Sequence, residues 1–250
     1  MMGVLIREGE PRKRTTNSAL LVDAKGEILG RYDKVRPVPG SEYLPYRSLL
    51  PDDFVEWAGD VVYSYAGFRP VQSPGESLDP LVVPTPTGDR AVGALICYEV
   101  IYPGLSREMA ARGAQALVNL TNYGWFGQSA QLDQAEAITV FRAVETGRPV
   151  VVCANSGISS VISPEGRVVA RLTREGRVKS VEGWLLAEIP VASDPASADT
   201  PYLAIGDVPV IAIAIATTLL LAVGILGRIG ILARPLMKRV HGREGSGVSS

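Results

Sequence analysis

Gly93-Ala-Leu-Ile-Cys-Tyr-Glu99 reads as an apolar strand that ends at a thiol, with a carboxylate two residues beyond it. The carboxyl end of a strand opens onto the crevice where open α/β sheets bind ligands. A thiol placed there becomes a nucleophile if its surroundings favour the thiolate. Outward from this strand, read as residues 91–96, the chain alternates: a helix near 103–112, a strand at 116–120, a helix at 130–146 and a strand at 150–154. The strands are uninterrupted apolar runs, as in a sheet covered on its faces, and Leu132, Ala135, Ile138 and Phe141 recur at helical spacing. A layered α/β domain is expected.

Two hairpins flank this core. Residues 18–22 and 27–32 are joined by the turn Asp23-Ala-Lys-Gly26, and residues 160–172 fold back around Ser163-Pro-Glu-Gly166. Residues 183–191 read as a closing strand and 192–207 as a polar linker. The Pro-, Gly- and aromatic-rich stretch 50–84 is long for a loop and is expected to form a lid or substrate rim.

The 250 residues carry 25 basic against 26 acidic side chains and are 46% hydrophobic, ample for a packed core. No basic stripe lies on a folded segment, so no nucleic-acid partner is expected. The two cysteines offer neither a disulfide framework nor metal-ligand spacing. Cys97 and Cys153 are not expected to pair, both being read at or within buried strands. The only histidine, His241, lies in the basic C-terminal tail, so a base serving Cys97 must be a carboxylate or lysine.

Residues 208–227 contain no charge. At about 1.5 Å per residue they match the roughly 30 Å hydrocarbon core of a bilayer, so a transmembrane helix is expected. Arg228, Arg234, Lys238, Arg239 and Arg243 follow, opposed only by Glu244, which places the tail in the cytoplasm and the preceding domain outside. The expected division is a catalytic domain over 1–191, a linker over 192–207, the helix over 208–227 and a tail over 228–250, disordered at its Gly-Ser end.

Candidate site residues cluster at strand ends. Lys34 follows the first hairpin in Tyr32-Asp-Lys-Val-Arg-Pro37; beside a thiol it would lower the thiol's pKa and stabilise an oxyanion, though a lone lysine is usually a solvated charge. Glu42 and Glu99 read equally as surface carboxylates or as groups that shape the site. Tyr98, Asn122, Trp125 and Phe126 complete the set, the last two as core aromatics or as pocket walls.

The segments Tyr32-Asp-Lys-Val-Arg-Pro-Val-Pro-Gly-Ser-Glu-Tyr-Leu-Pro45, Ile96-Cys-Tyr-Glu99, Asn119-Leu-Thr-Asn-Tyr-Gly-Trp-Phe-Gly127, Arg142-Ala-Val-Glu-Thr-Gly-Arg-Pro149 and Asn155-Ser-Gly-Ile-Ser159 resemble the carbon-nitrogen hydrolase (nitrilase) superfamily. Trp-Phe-Gly, Pro-Gly-Ser-Glu-Tyr-Leu-Pro and Thr200-Pro-Tyr-Leu-Ala-Ile-Gly-Asp207 narrow the resemblance to its membrane branch, the apolipoprotein N-acyltransferases. The resemblance implies a nitrilase-like α-β-β-α sandwich followed by one C-terminal transmembrane helix. It also implies a Glu-Lys-Cys triad, with Cys97 as nucleophile and Lys34 at the oxyanion, and neither metal nor cofactor. The triad's glutamate lies in a Trp-Pro-Glu segment upstream of the first hairpin, which has no counterpart here; the N-terminal membrane bundle has none either. The sandwich is therefore expected to be N-terminally truncated, with the bundle supplied upstream or by a separate polypeptide, and this stretch alone to show little turnover. The implied partners are a phospholipid acyl donor, an apolipoprotein acceptor and the bacterial cytoplasmic membrane, with the domain on its outer face. The alternatives are an amidase or nitrilase acting on a small soluble substrate, and a non-catalytic subunit that keeps the fold.

Overall fold

A computed structural model of the chain describes residues 1–8, 14–67, 70–192 and 195–241. In chain order the elements are β1 (Met2–Glu8), β2 (Arg14–Val22), β3 (Ile28–Asp33), α1 (Asp52–Ala66), β4 (Leu81–Val83), β5 (Arg90–Ile96), α2 (Pro103–Ala111) and β6 (Ala116–Thr121). There follow α3 (Gln131–Thr146), β7 (Val150–Ala154), β8 (Ser160–Ile162), β9 (Val168–Arg171), α4 (Pro201–Ile205) and α5 (Val208–His241). The chain divides into two units, Met1–Ala204 and Ile205–Ser250.

The first unit holds two sheets. β1, β2 and β3 form an antiparallel sheet in that order, and β4 to β9 form a second, six-stranded sheet in sequence order. Within the second sheet β5, β6 and β7 run parallel, as expected for strands joined through helices, and the flanking pairs are antiparallel. Ala19, Leu21 and Tyr32 of the small sheet share one core with Leu81, Ala94 and Ile96 of the large one. On the other face, α2 and α3 cover the large sheet. Gly93 permits this closeness: a Cβ there would stand 2.7 Å from Leu117 Cδ2 and 3.0 Å from Met109 Sδ of α2. The unit is a layered α/β fold with an antiparallel and a mixed sheet, and the helices that pack on a sheet, α2 and α3, lie on the same side of it.

Both expected hairpins are present. Asp23 Oδ1 accepts hydrogen bonds from the Lys25 and Glu27 N–H groups, each at 2.8 Å, and Gly26 takes φ +86° to close the first turn. Gly166 does the same in the second at φ +81°, its N–H reaching Ser163 O at 2.9 Å.

Several expectations are corrected. The stretch 50–84 is not one irregular loop, since it contains α1 and β4. β1 went unread because its exposed, weakly alternating residues carry no strong strand pattern. Residues 183–191 form no strand among the described residues; Trp184 and Leu186 of this segment are largely exposed. Within residues 192–207, read as a polar linker, lie a 3-10 turn, Pro195–Ala198, and α4. Phe141 is exposed, and the buried stripe of α3 runs through Leu132, Ala135, Thr139, Arg142 and Thr146 instead. Steps of three alone turn a helix about 60° short of a full circle each time, so Phe141 ends up opposite Leu132.

The second unit is dominated by α5. Its Val208–Ile225 window has mean hydropathy 2.5 and is unburied, and the helix continues to His241, through part of the stretch read as a tail. The Gly-Ser end lies outside the described residues.

Candidate active site

Cys97 is the first residue of a 3-10 turn, Cys97–Ile101, that starts where β5 stops. Its φ is +54°, a conformation that non-glycine residues seldom adopt and that costs energy unless the surroundings enforce it. Glu99 supplies much of that enforcement. Its side chain is fully buried, and Oε2 accepts the Ile96 N–H at 2.8 Å, the reach-back of an acidic residue to the N-cap of its own turn. Oε1 accepts three more hydrogen bonds, from Tyr32 Oη at 2.9 Å and from the N–H groups of Val35 at 2.8 Å and Arg36 at 3.0 Å. One carboxylate thus joins the segment after β3 to the residue before the thiol. Burial pushes the Glu99 pKa above the usual carboxylate range, while the Arg36 and Ile96 N–H groups, the Tyr32 hydroxyl and the Lys34 charge pull it back.

Lys34 is buried too, 1% exposed. Lys34, one residue past the end of β3, stays tied to β2 through its N–H to Asn17 O at 2.8 Å, and it is buried as Tyr32 is, two residues before it. Lys34 Nζ donates to both oxygens of Glu42, at 2.9 and 2.7 Å, and Glu42 Oε2 also accepts the Val38 N–H at 2.7 Å. Neither acid is a surface carboxylate. Glu99 braces backbone, and Glu42 neutralises a buried cation.

A cavity of about 900 Å³ opens beside the thiol. Its walls include Cys97, Glu42, Asn122 and Trp125 from the expected set, together with Ile96, Leu120, Val71, and Met2, Val4 and Leu5 of β1. Glu42 is the one acidic side chain among its described lining residues. Cys97 Sγ lies 4.0 Å from the Asn122 carbonyl oxygen, and the Asn122 side chain accepts the Gly124 N–H at 3.0 Å, shaping the turn that carries Trp125.

Lys34, Glu99, Tyr98 and Phe126 do not line the cavity. Tyr98 stacks edge-on against Tyr102 with ring centroids 5.6 Å apart, and Phe126 tilts against Tyr123 at 6.0 Å. Tyr123, itself buried, packs on Cys97.

Sequence reading missed two participants. Tyr32 was read only as part of a strand, yet it is the side-chain donor to Glu99; its position two residues before Lys34 was the available signal. Cys153 was read as buried, but it is exposed at the cavity wall, because the row Ile96, Leu120, Cys153 runs across three parallel strand ends and turns one face to the opening. Desolvation by its surroundings pushes the Cys153 thiol above its ordinary pKa. Both cysteines are free.

The sequence pattern of carbon-nitrogen hydrolases matches residues 1–192. An apolipoprotein N-acyltransferase of Geobacter metallireducens is 40% identical over 162 residues, 65% of this chain and 28% of the relative. Another, of Bradyrhizobium diazoefficiens, is 39% identical over 221 residues, 86% of this chain and 36% of the relative. The chain therefore spans about a third of the length of these curated relatives. Among solved structures, the NitFhit protein of C. elegans superposes with a TM-score of 0.50 at 24% identity, over 71% of this chain and 39% of that one, a likeness of fold. The match over residues 1–192, most of the chain, makes the chain a member of the carbon-nitrogen hydrolase family.

Proposed function

We propose that this chain carries the acyl-transfer site of an apolipoprotein N-acyltransferase-like enzyme, with Cys97 as the nucleophile. The observation that carries the reading is Cys97 itself, held at φ +54° at the end of β5 and opening onto a largely apolar cavity of about 900 Å³. The similarity to apolipoprotein N-acyltransferases supplies the substrate class.

In this reading the Cys97 thiolate attacks the ester carbonyl of a phospholipid. The tetrahedral intermediate collapses with loss of the lysophospholipid alkoxide, which takes up a proton, leaving a thioester. The α-amino group of a diacylglyceryl-cysteine apolipoprotein then attacks the thioester; the amide forms, the amine gives up a proton, and the thiol is regenerated. Lys34 contributes positive charge toward the oxyanion and holds Glu42 at the cavity edge. Glu99 fixes the turn, and Asn122 and Trp125 shape the entrance. Residues 208–225 of α5 cross the membrane with the basic tail inside, which suits two substrates that live in the bilayer.

The test is trapping. The chain is incubated with a long-chain p-nitrophenyl ester, whose good leaving group needs little general-acid help, and separately with phospholipid vesicles. Mass spectrometry is expected to find a hydroxylamine-labile acyl group on Cys97, absent in Cys97→Ser. Acyl label confined to Cys153 overturns the assignment. Preferential turnover of short soluble amides points instead to an amidase.

A further inference from the structure

We propose that Tyr32 is a positioning residue of the Cys97 site, its hydroxyl acting through Glu99 to hold the nucleophile's turn and to offset the carboxylate's charge beside the thiol. The proposal rests on the reading of Cys97 as the nucleophile.

A buried tyrosine hydroxyl usually finds some partner, so burial alone says little. What distinguishes Tyr32 is what else its acceptor holds. The other hydrogen bonds to Glu99 come from backbone N–H groups of the two segments that flank the site: Val35 and Arg36, next after Lys34, and Ile96, next before Cys97. Tyr32 is the one side-chain donor to that carboxylate among the described residues. It lies two residues before Lys34, and both are tied to β2, Tyr32 opposite Ala19 and Lys34 through its N–H to Asn17 O at 2.8 Å, so the two placements are coupled. Around Glu99 and Cys97 the charged and titratable groups include Tyr32 and Lys34 from the β3 side, Glu42 beyond Lys34, Tyr123 packed on Cys97, and Arg142 of α3, which donates to the Val100 and Ile101 carbonyls of the same turn and is itself neutralised by Glu145 at 2.7 Å. Two carboxylates therefore face one ammonium in a site that must develop a thiolate. A hydroxyl donating to Glu99 spreads part of that excess negative charge, and hydrogen bonds to charged acceptors are the stronger kind.

The cavity supplies its own control. Cys153 lines the same opening two strands away, and no hydrogen bond joins it to this network among the described residues. The experiment measures alkylation of both thiols by iodoacetamide, from pH 5 to 10, by mass spectrometry of the full chain. Tyr32→Phe is expected to slow Cys97 about tenfold at neutral pH, the size of one hydrogen bond to a charged group. It is expected to move the Cys97 profile toward alkaline pH while Cys153 stays unchanged. The loss should shrink on a Glu99→Gln background, where the acceptor no longer carries charge.

Equal slowing of both thiols, an unchanged Cys97, or additive losses in the double variant would overturn the proposal. If the phenylalanine chain fails to fold, 3-fluorotyrosine at position 32 keeps the ring and the hydroxyl while making a stronger donor. It is expected to accelerate Cys97, and a neutral or opposite effect counts against the role. An absent acyl group on Cys97 combined with a persistent Tyr32 effect would count against the acyl-transfer reading alone.

Discussion

Lys34 and Glu42 form the most exposed risk at the scale of single residues, because each is tolerable inside the fold only while the other is present. The lysine is 1% exposed and its partner's side chain 13%, and the pair is closed at 2.7 Å. Removing one partner of a buried pair leaves an uncompensated charge and costs about 3–5 kcal/mol. Lys34→Met is therefore expected to lower stability by about that amount, and Lys34→Met with Glu42→Gln to recover part of it. Urea denaturation of the single and double variants checks this; a double variant no more stable than the single would mean that the pair is not the source. At this scale the thiol and the acids were legible in the sequence, since a strand that runs into Cys-Tyr-Glu advertises its end. Their burial was not. Residue type says that lysine and glutamate belong in water, and only four donors converging on Glu99 and two carboxylate oxygens on Lys34 reverse that rule; three of the donors, Tyr32, Val35 and Arg36, lie more than 60 residues away along the chain.

At the scale of elements, the parallel core of β5, β6 and β7 was readable because each strand is a short apolar run with a helix between it and the next. What escaped were elements whose definition depends on neighbours. Residues 183–191 have the composition of a strand but no strand to pair with among the described residues. Within the polar linker read over 192–207, residues 195–204 are tied to the rest of the first unit. Arg107 donates to the carbonyls of Tyr202, Leu203 and Ala204, at 3.2, 2.9 and 3.2 Å, and so caps the carbonyl end of α4. Buried Arg148 binds Ala114 O at 2.8 Å and Asp199 at 2.7 Å, and Thr200 bonds to the Glu145 carbonyl. Gly147, at φ +63°, leaves no room for a side chain: a Cβ there would collide with the Ala198 carbonyl. Gly147→Val is accordingly expected to release this segment while the sheet stays intact. Hydrogen exchange should rise over 195–204 and stay unchanged in β5 to β7, and limited proteolysis should cut within the segment. Protection equal to that of the parent chain would show that the segment is not held from α3.

On the scale of the whole molecule, the question is what the two units do to the chain's address. The unburied window Val208–Ile225 spans about 27 Å at 1.5 Å per residue, close to the thickness of a bilayer's apolar core. Water is a poor home for it, since each exposed leucine or isoleucine forgoes about 1.5–3 kcal/mol of burial. Among the described residues of the first unit, no helix is long and apolar enough to cross a membrane. The chain is thus expected to sediment with membranes and resist carbonate extraction, whereas a chain ending at Asp207 is expected to be released. The five basic residues after Gly227 favour the proposed direction, a cytoplasmic tail, because translocating them opposes the positive-inside bias. Fusions made in the polypeptide that carries this chain test that direction. A phosphatase reporter joined near Ala192 is expected to be active, and one joined after Arg243 inactive. The opposite pattern would put Cys97 in the cytoplasm, away from exported lipoprotein acceptors, and would favour hydrolysis of a small soluble amide over acyl transfer.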